Sequence, residues 1–167
     1  GIVKQNNGFI NVYSEPGQGT TFCIYLPASD REMDDETSKP LALSRGEGTL
    51  LLVDDEKFIL DVGKQMLQSL GYRVYVAGNG KTAVEIYRKN QKDIQMVILD
   101  MVMPEMNGVK TFDQLKKLNP DLKVLLASGY SINRDVTELL DRGCRGFIQK
   151  PFDIWQLSKK VNDILFG

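Results

Sequence analysis

The sequence predicts an α/β protein: a doubly wound, five-stranded parallel sheet with an N-terminal β-hairpin fragment ahead of it. Three observations predict this. From Thr49 onward, five short and almost wholly apolar runs alternate with stretches of helical periodicity. Such runs belong to parallel strands covered by helices on both faces. The helical stretches are bounded by residues that cap or stop helices. Ahead of Thr49, two β-rich runs flank a Pro-Gly-Gln-Gly turn and are followed by a polar, acidic stretch.

The first element is the hairpin, "FINVYSEPGQGTTFCIYL", residues 9–26. Gly17 and Gly19 can take positive φ at its turn without a Cβ penalty. A lone two-stranded hairpin is marginal in water, so residues 1–27 read as part of a larger sheet, with Gly1 falling in the middle of something. Residues 28–48, "ASDREMDDETSKPLALSRGEG" and the proline region before it, crowd acidic, Ser, Pro and Gly residues with almost no apolar periodicity and read as a solvated linker. The main domain is residues 49–167. Its strands are predicted at "TLLLVD", "RVYVA", "MVILD", "KVLLAS" and "GFIQK". Phe58, Val62, Met66 and Leu70 recur every four residues before Gly71, a predicted C-terminal cap. Val109, Phe112, Leu115 and Leu118 recur every three, between Asn107 as N-cap and Pro120 as stop. Val136, Leu139 and Leu140 precede Gly143, and Leu157, Val161 and Ile164 follow Asp153 as a cap.

Composition excludes several classes of function. At 167 residues the chain holds one full domain of about 100–200 residues plus a fragment. A net charge of −1 gives no reason to expect nucleic acid or a membrane surface as a partner. The two cysteines, Cys23 and Cys144, fit no CxxC or disulfide spacing, which favours a reducing, cytoplasmic setting. No apolar run is long enough to cross a bilayer, and no signal peptide opens the chain. Histidine is absent, which removes His-based metal sites, Ser–His triads and phosphohistidine from these residues.

The chemistry collects at the strand ends. In a doubly wound sheet, ligands bind beyond the carboxyl ends of the strands where strand order reverses. Asp54 and Asp55 close the first strand of the main domain, Asp100 the third, Ser128 the fourth and Lys150 the fifth. With the flavodoxin-like order 2-1-3-4-5, the first and third strands are neighbours, so three carboxylates share one pocket bordered by Ser128 and Lys150. Three carboxylates in one cleft repel, and a divalent cation with hard oxygen ligands neutralises them. Mg²⁺ suits such a set, with retained waters and a phosphate oxygen completing its octahedron. Lys150 adds a point positive charge and Ser128 a hydroxyl donor. Together these are the parts for phosphoryl transfer to a carboxylate, with Asp100, central among them, as nucleophile. Any one of these residues alone reads as a turn or cap; together, at four strand ends in compatible order, they do not.

These motifs, "LLVDDE", "VILDMVMPEMNG", "LLASGY" and "GFIQKPF", resemble the receiver domain of two-component response regulators, from about Thr49 to Phe166. The resemblance implies that Asp100 accepts a phosphoryl group from a phosphohistidine. It implies Mg²⁺ held by Asp55, Asp100 and the backbone carbonyl of Val102, with Asp54 acting through water. Lys150 would pair with the phosphoryl group, Ser128 would swing toward it, and Phe147 would be the aromatic that follows. The Lys150–Pro151 bond is expected to be cis. "GIVKQNNGFINVYSEPGQGTTFCIYLP" in turn resembles the last helix end and strands of the ATP-binding domain of histidine kinases, without an asparagine box, ATP lid or phosphorylatable histidine. The order of kinase tail, linker and receiver implies the C-terminal portion of a hybrid histidine kinase. The implied partners are therefore a histidine kinase core or a histidine phosphotransfer protein, with no nucleic acid and no direct membrane contact. A homodimer through the hairpin or a receiver face is a further expectation.

Phosphorylation adds about two negative charges and three strong acceptors, and would bias an existing equilibrium. Lys150, Ser128 and the metal would reorganise, Phe147 would turn inward, and the face of the receiver's fourth helix, fifth strand and fifth helix would change its partner affinity. Val102 and Tyr130, two residues past Asp100 and Ser128, either shield the phosphoryl group from water or only cover the rim. Three alternatives fit the residues less well. A haloacid-dehalogenase-type phosphohydrolase wants an Asp where Val102 stands. A flavodoxin-like cofactor binder would find "DDEKF" repelling its phosphate. A degenerate receiver serving only as an interaction module would have lost part of the acid–Lys set, which is complete here.

Overall fold

The computed structural model describes residues 2–28, 45–129 and 134–167. The chain divides into two compact units, Gly1–Pro40 and Leu41–Gly167. In the first, a one-turn helix α1 (Ile2–Gln5) precedes strands β1 (Phe9–Glu15) and β2 (Gly19–Tyr25). These pair antiparallel, from Phe9 opposite Tyr25 to Glu15 opposite Gly19. Gly17 and Gly19 take positive φ as the turn requires. Phe9, Val12, Tyr13, Phe22, Ile24 and Tyr25 are all exposed, so within its unit the hairpin buries no apolar face of its own.

The second unit runs β3 (Thr49–Val53), α2 (Lys57–Ser69), β4 (Arg73–Ala77), α3 (Gly80–Lys89), β5 (Ile94–Asp100), α4 (Gly108–Leu118), β6 (Lys123–Ser128), α5 (Arg134–Asp141), β7 (Gly146–Gln149) and α6 (Ile154–Phe166). The strands form one parallel sheet in the order β4-β3-β5-β6-β7. Counting strands from β3, this is the predicted 2-1-3-4-5. The central strands β3 and β5 are buried at almost every position, as two-sided strands must be. Alternate residues point to opposite faces and make two cores. Leu51, Val53, Val97, Leu99, Val124 and Leu126 pack on one face with Phe112 and Leu115 of α4 and Leu139 of α5. Leu50, Leu52, Met96, Ile98 and Leu125 pack on the other with Leu60 and Leu67 of α2 and Leu157 and Val161 of α6.

The caps follow the sequence. Asn107 accepts from the Lys110 amide, and Asp153 forms a full capping box with Gln156. Gly71, at φ 100°, ends α2 with its amide on Gln68 O and the Tyr72 amide on Leu67 O, a Schellman arrangement. Residues 45–48, predicted as the end of the linker, are held against the sheet domain: the Gly46 amide donates to Leu70 O at 2.9 Å, and Gly48 O accepts from the Arg73 amide at 2.8 Å.

Two expectations need correction. The buried stripe of α2 is Leu60, Gly63 and Leu67, continued by Leu70, and not the Phe58–Val62–Met66 row; Phe58 is 74 % exposed. A row of residues spaced by four advances about 40° per step around a helix of 3.6 residues per turn, so its members cannot share one narrow face over three steps. The strand "RVYVA" is also not buried on both sides. It lies at the sheet edge, as the order 2-1-3-4-5 requires, and as β4 leaves Tyr75 and Val76 partly open to solvent.

Candidate functional site

Four strands deliver the site. β3 ends at Val53, so Asp54 and Asp55 stand just beyond it; β5 ends on Asp100, β6 on Ser128, and Lys150 follows β7. Because β3 and β5 are adjacent and in register to Val53 opposite Leu99, the two strand ends meet. Carboxylate oxygens of Asp54, Asp55 and Asp100 all lie within 4.8 Å of one another. Asp54 is 2 % exposed and Asp100 5 %, whereas Asp55 faces solvent. The cluster is thus a crater with two walled acids and one at the rim.

Lys150 occupies it. Its ammonium lies 2.5 Å from Asp54 Oδ2 and 2.9 Å from Asp100 Oδ1, bridging the two buried acids. The Glu56 amide donates to Asp54 Oδ1 at 2.9 Å, which leaves Asp54 fully engaged. Burial raises the Asp100 carboxyl above its ordinary value; the Lys150 hydrogen bond and charge pull it back, and the Asp54 charge raises it further. For Lys150, burial alone would lower the ammonium, but the hydrogen bonds and charges of Asp54 and Asp100 outweigh it and the net shift is upward. Three carboxylates against one ammonium leave two negative charges unbalanced, the charge of one divalent cation.

Backbone contacts lock the parts together. The Lys150 amide donates to Ser128 O at 2.7 Å, so the strand ends that carry the hydroxyl and the ammonium are tied directly. Ser128 is buried at the end of β6. The Lys150–Pro151 bond is cis. Phe147, opposite Leu126 on β7, is half-buried and packs against the core shared by α3, α4 and α5. Val102 is 59 % exposed beside the crater; Tyr130 lies outside the described residues.

Sequence reasoning missed two features of the loop after Asp100. The Gly108 amide donates to Met101 O, and a Cβ at Gly108 would lie 2.6 Å from Asp100 O and 2.7 Å from Met101 Cα. Only glycine lets α4 start this close to the strand end that carries Asp100. Glu105 takes φ 61° between Pro104 and Met106, whose amide donates to Pro104 O. The Pro-x-x-x-Gly spacing was visible; the close approach behind it was not.

Comparison with known proteins places this geometry. The model of the "response regulator receiver domain" matches residues 50–162. Sensor kinase CckA of Brucella abortus is 38 % identical over 99 % of this chain, and the aerobic respiration control sensor protein ArcB of Escherichia coli 32 % over 96 %. The chain spans only 18 % and 21 % of their respective lengths. Among solved structures, the response regulator protein TrrA of Thermotoga maritima, in complex with Mg²⁺ and BeF, is 30 % identical, with a TM-score of 0.64 over 71 % of this chain and 99 % of that one. A doubly wound sheet, three acids and a lysine at its strand ends, and a family model that covers most of the chain lead to one conclusion: this chain belongs to the response regulator receiver domain family.

Proposed function

We propose that this receiver takes a phosphoryl group onto Asp100 from a phosphohistidine on a histidine kinase core or a histidine phosphotransfer protein. The observation that carries the proposal is the placement of Asp100: a buried carboxylate at the centre of the crater, within reach of every other charged group there. An Asp100 oxygen attacks phosphorus, the P–N bond to the donor imidazole breaks, and the imidazole leaves with that electron pair and takes a proton. The product is an acyl phosphate on Asp100. Lys150, already 2.9 Å from Asp100 Oδ1, follows the new negative charge and exchanges its carboxylate contact for a phosphoryl oxygen. Ser128, tied through its carbonyl to the Lys150 amide, moves its hydroxyl to a second oxygen, and Phe147 follows the shift of its strand.

The acid set fits Mg²⁺. Asp55 at the rim and Asp100 in the wall, with the carbonyl of Val102, would hold the ion, while Asp54, engaged by Lys150 and the Glu56 amide, would act through water. When bound, the ion supplies charge neutralisation at the phosphoryl oxygens. The partial length relative to CckA and ArcB, together with the hairpin ahead of the linker, supports an origin in a hybrid histidine kinase, residues 1–27 being the end of its ATP-binding domain, 28–48 a linker and 49–167 the receiver.

The test is labelling from acetyl phosphate or a phosphohistidine donor with Mg²⁺. The parent chain takes up acid-stable, base-labile label; Asp100→Asn takes up none. Label retained in Asp100→Asn would overturn the assignment. No helix among the described residues is long and apolar enough to cross a membrane.

A further inference from the structure

β4 ends the sheet on the side away from Lys150, and its outer flank is left open. It pairs only with β3. The Arg73 amide donates to Gly48 O and Ala77 O accepts from the Asp54 amide, so the backbone of Arg73, Tyr75 and Ala77 faces β3. The N–H and C=O groups of Val74 and Val76 therefore point away from the sheet, and among the described residues they have no partner on that side. Sheets protect such edges with prolines, bulges or charges. From Val74 to Ala77, β4 has no proline or charge, and its pairing with β3 has no bulge. Tyr75 is 38 % exposed and Val76 36 %, on opposite faces of the strand.

We propose that β4 pairs with β4 of a second copy of this chain, antiparallel about a twofold axis at Tyr75, so that two receiver sheets join into one. The residue order, Val-Tyr-Val, is self-complementary about that axis. Val74 of each copy falls opposite Val76 of the other as a hydrogen-bonded pair, which satisfies every outward N–H and C=O of these residues. Tyr75 meets its own counterpart in the closer, non-hydrogen-bonded position, ring beside ring on one face. Arg73 falls opposite Ala77, so no like charges oppose one another across the joint. α2 and α3 also contact β4, and their counterparts flank the joint. Paired strands of five residues fall short of the roughly 1,600 Å² of a standard interface, so the dimer is reversible, with a Kd of about 10–100 µM. Because the two β4 strands run in opposite directions, the two craters lie at opposite ends of the joined sheet. The joint leaves β7 and α6 untouched. It does not depend on phosphoryl transfer and is tested on the unphosphorylated chain.

The experiment is sedimentation velocity of the full chain from about 5 to about 500 µM, over which the parent should pass from monomer to dimer. Tyr75→Lys and Tyr75→Glu each set like charges face to face at the axis, and each alone should weaken self-association by at least about tenfold. An equimolar mixture of the two sets opposite charges there and should recover the parent affinity to within about threefold. Phe22→Lys, a charge of the same kind on the exposed hairpin, should leave the affinity within about twofold. In the parent, the Val74 and Val76 amides should exchange with solvent about threefold more slowly at the upper concentration, while the Arg73 amide, already bonded to Gly48 O, should not change. This last measurement needs no variant and decides the matter should a Tyr75 variant fold poorly by circular dichroism. A monomer across the whole range, no recovery in the mixture, a dimer lost in Phe22→Lys, or Val74 and Val76 amides indifferent to concentration would overturn the proposal.

Discussion

Replacing Lys150 by Met tests the charge balance of the crater directly. The ammonium bridges two buried carboxylates at 2.5 and 2.9 Å, and methionine keeps most of the volume while removing the charge. Carboxylate oxygens within 4.8 Å of one another repel by about 3.5 kcal/mol per pair at an effective dielectric of about 20. Breaking a buried ion pair by removing one partner costs about 3–5 kcal/mol. Asp100 can partly escape by holding a proton, since burial already raises its carboxyl, so the expected loss is near the lower end, about 3 kcal/mol at neutral pH. The sign of the pH dependence follows. A carboxyl raised in the folded state contributes stability that is full below its unfolded value of 3.8 and lost as pH rises through the folded value. Acidification from about pH 7.5 to about 5.5 should therefore return part of the loss in Lys150→Met, and saturating Mg²⁺ should return most of it. Urea unfolding followed by circular dichroism, in chelator and in Mg²⁺, reads these values. A loss below about 1 kcal/mol in chelator, or one that is the same in Mg²⁺, would refute the reasoning.

Three other outcomes are expected. In chelator, the parent chain should lose stability as pH climbs above 10.5, because the raised Lys150 ammonium contributes fully below that value and less as pH passes the folded one; thermal melts of Lys150→Met should lack this component. Gly108→Ala drives a Cβ into the backbone of Asp100 and Met101 and should cost about 1–3 kcal/mol in urea unfolding while slowing acetyl phosphate labelling. Leu67→Ala should cost about 2–5 kcal/mol, and Phe58→Ala less than about 0.5, in the same titration; the reverse ranking would contradict the orientation of α2.

Most of the sheet and of the crater could be read without coordinates, for a physical reason. Buried parallel strands need unbroken apolar runs, so β3, β5 and β6 stand out, and any acid placed at their ends interrupts the run visibly. Once the runs are ordered 2-1-3-4-5, Asp54, Asp55 and Asp100 must converge. What a linear pattern hides is everything set by rotation or by a missing atom. Whether Phe58 or Leu60 faces the core depends on a turn of the helix that a four-residue spacing misjudges. Gly108 looks like any helix-starting glycine until Asp100 O is seen 2.6 Å from where a Cβ would be. That Lys150 bridges Asp54 and Asp100 is likewise a matter of side-chain reach that the linear pattern does not show.

The hydrogen bonds of Gly46 and Gly48 have a consequence for access to the crater. They pin residues 45–48 at the amino-terminal rim of β3 and β4, and the six residue steps from Gly48 to Asp54 span roughly 20 Å when extended. Residues 45–48 are thus moored at the opposite pole from the acids. The crater mouth is therefore clear of residues 45–48.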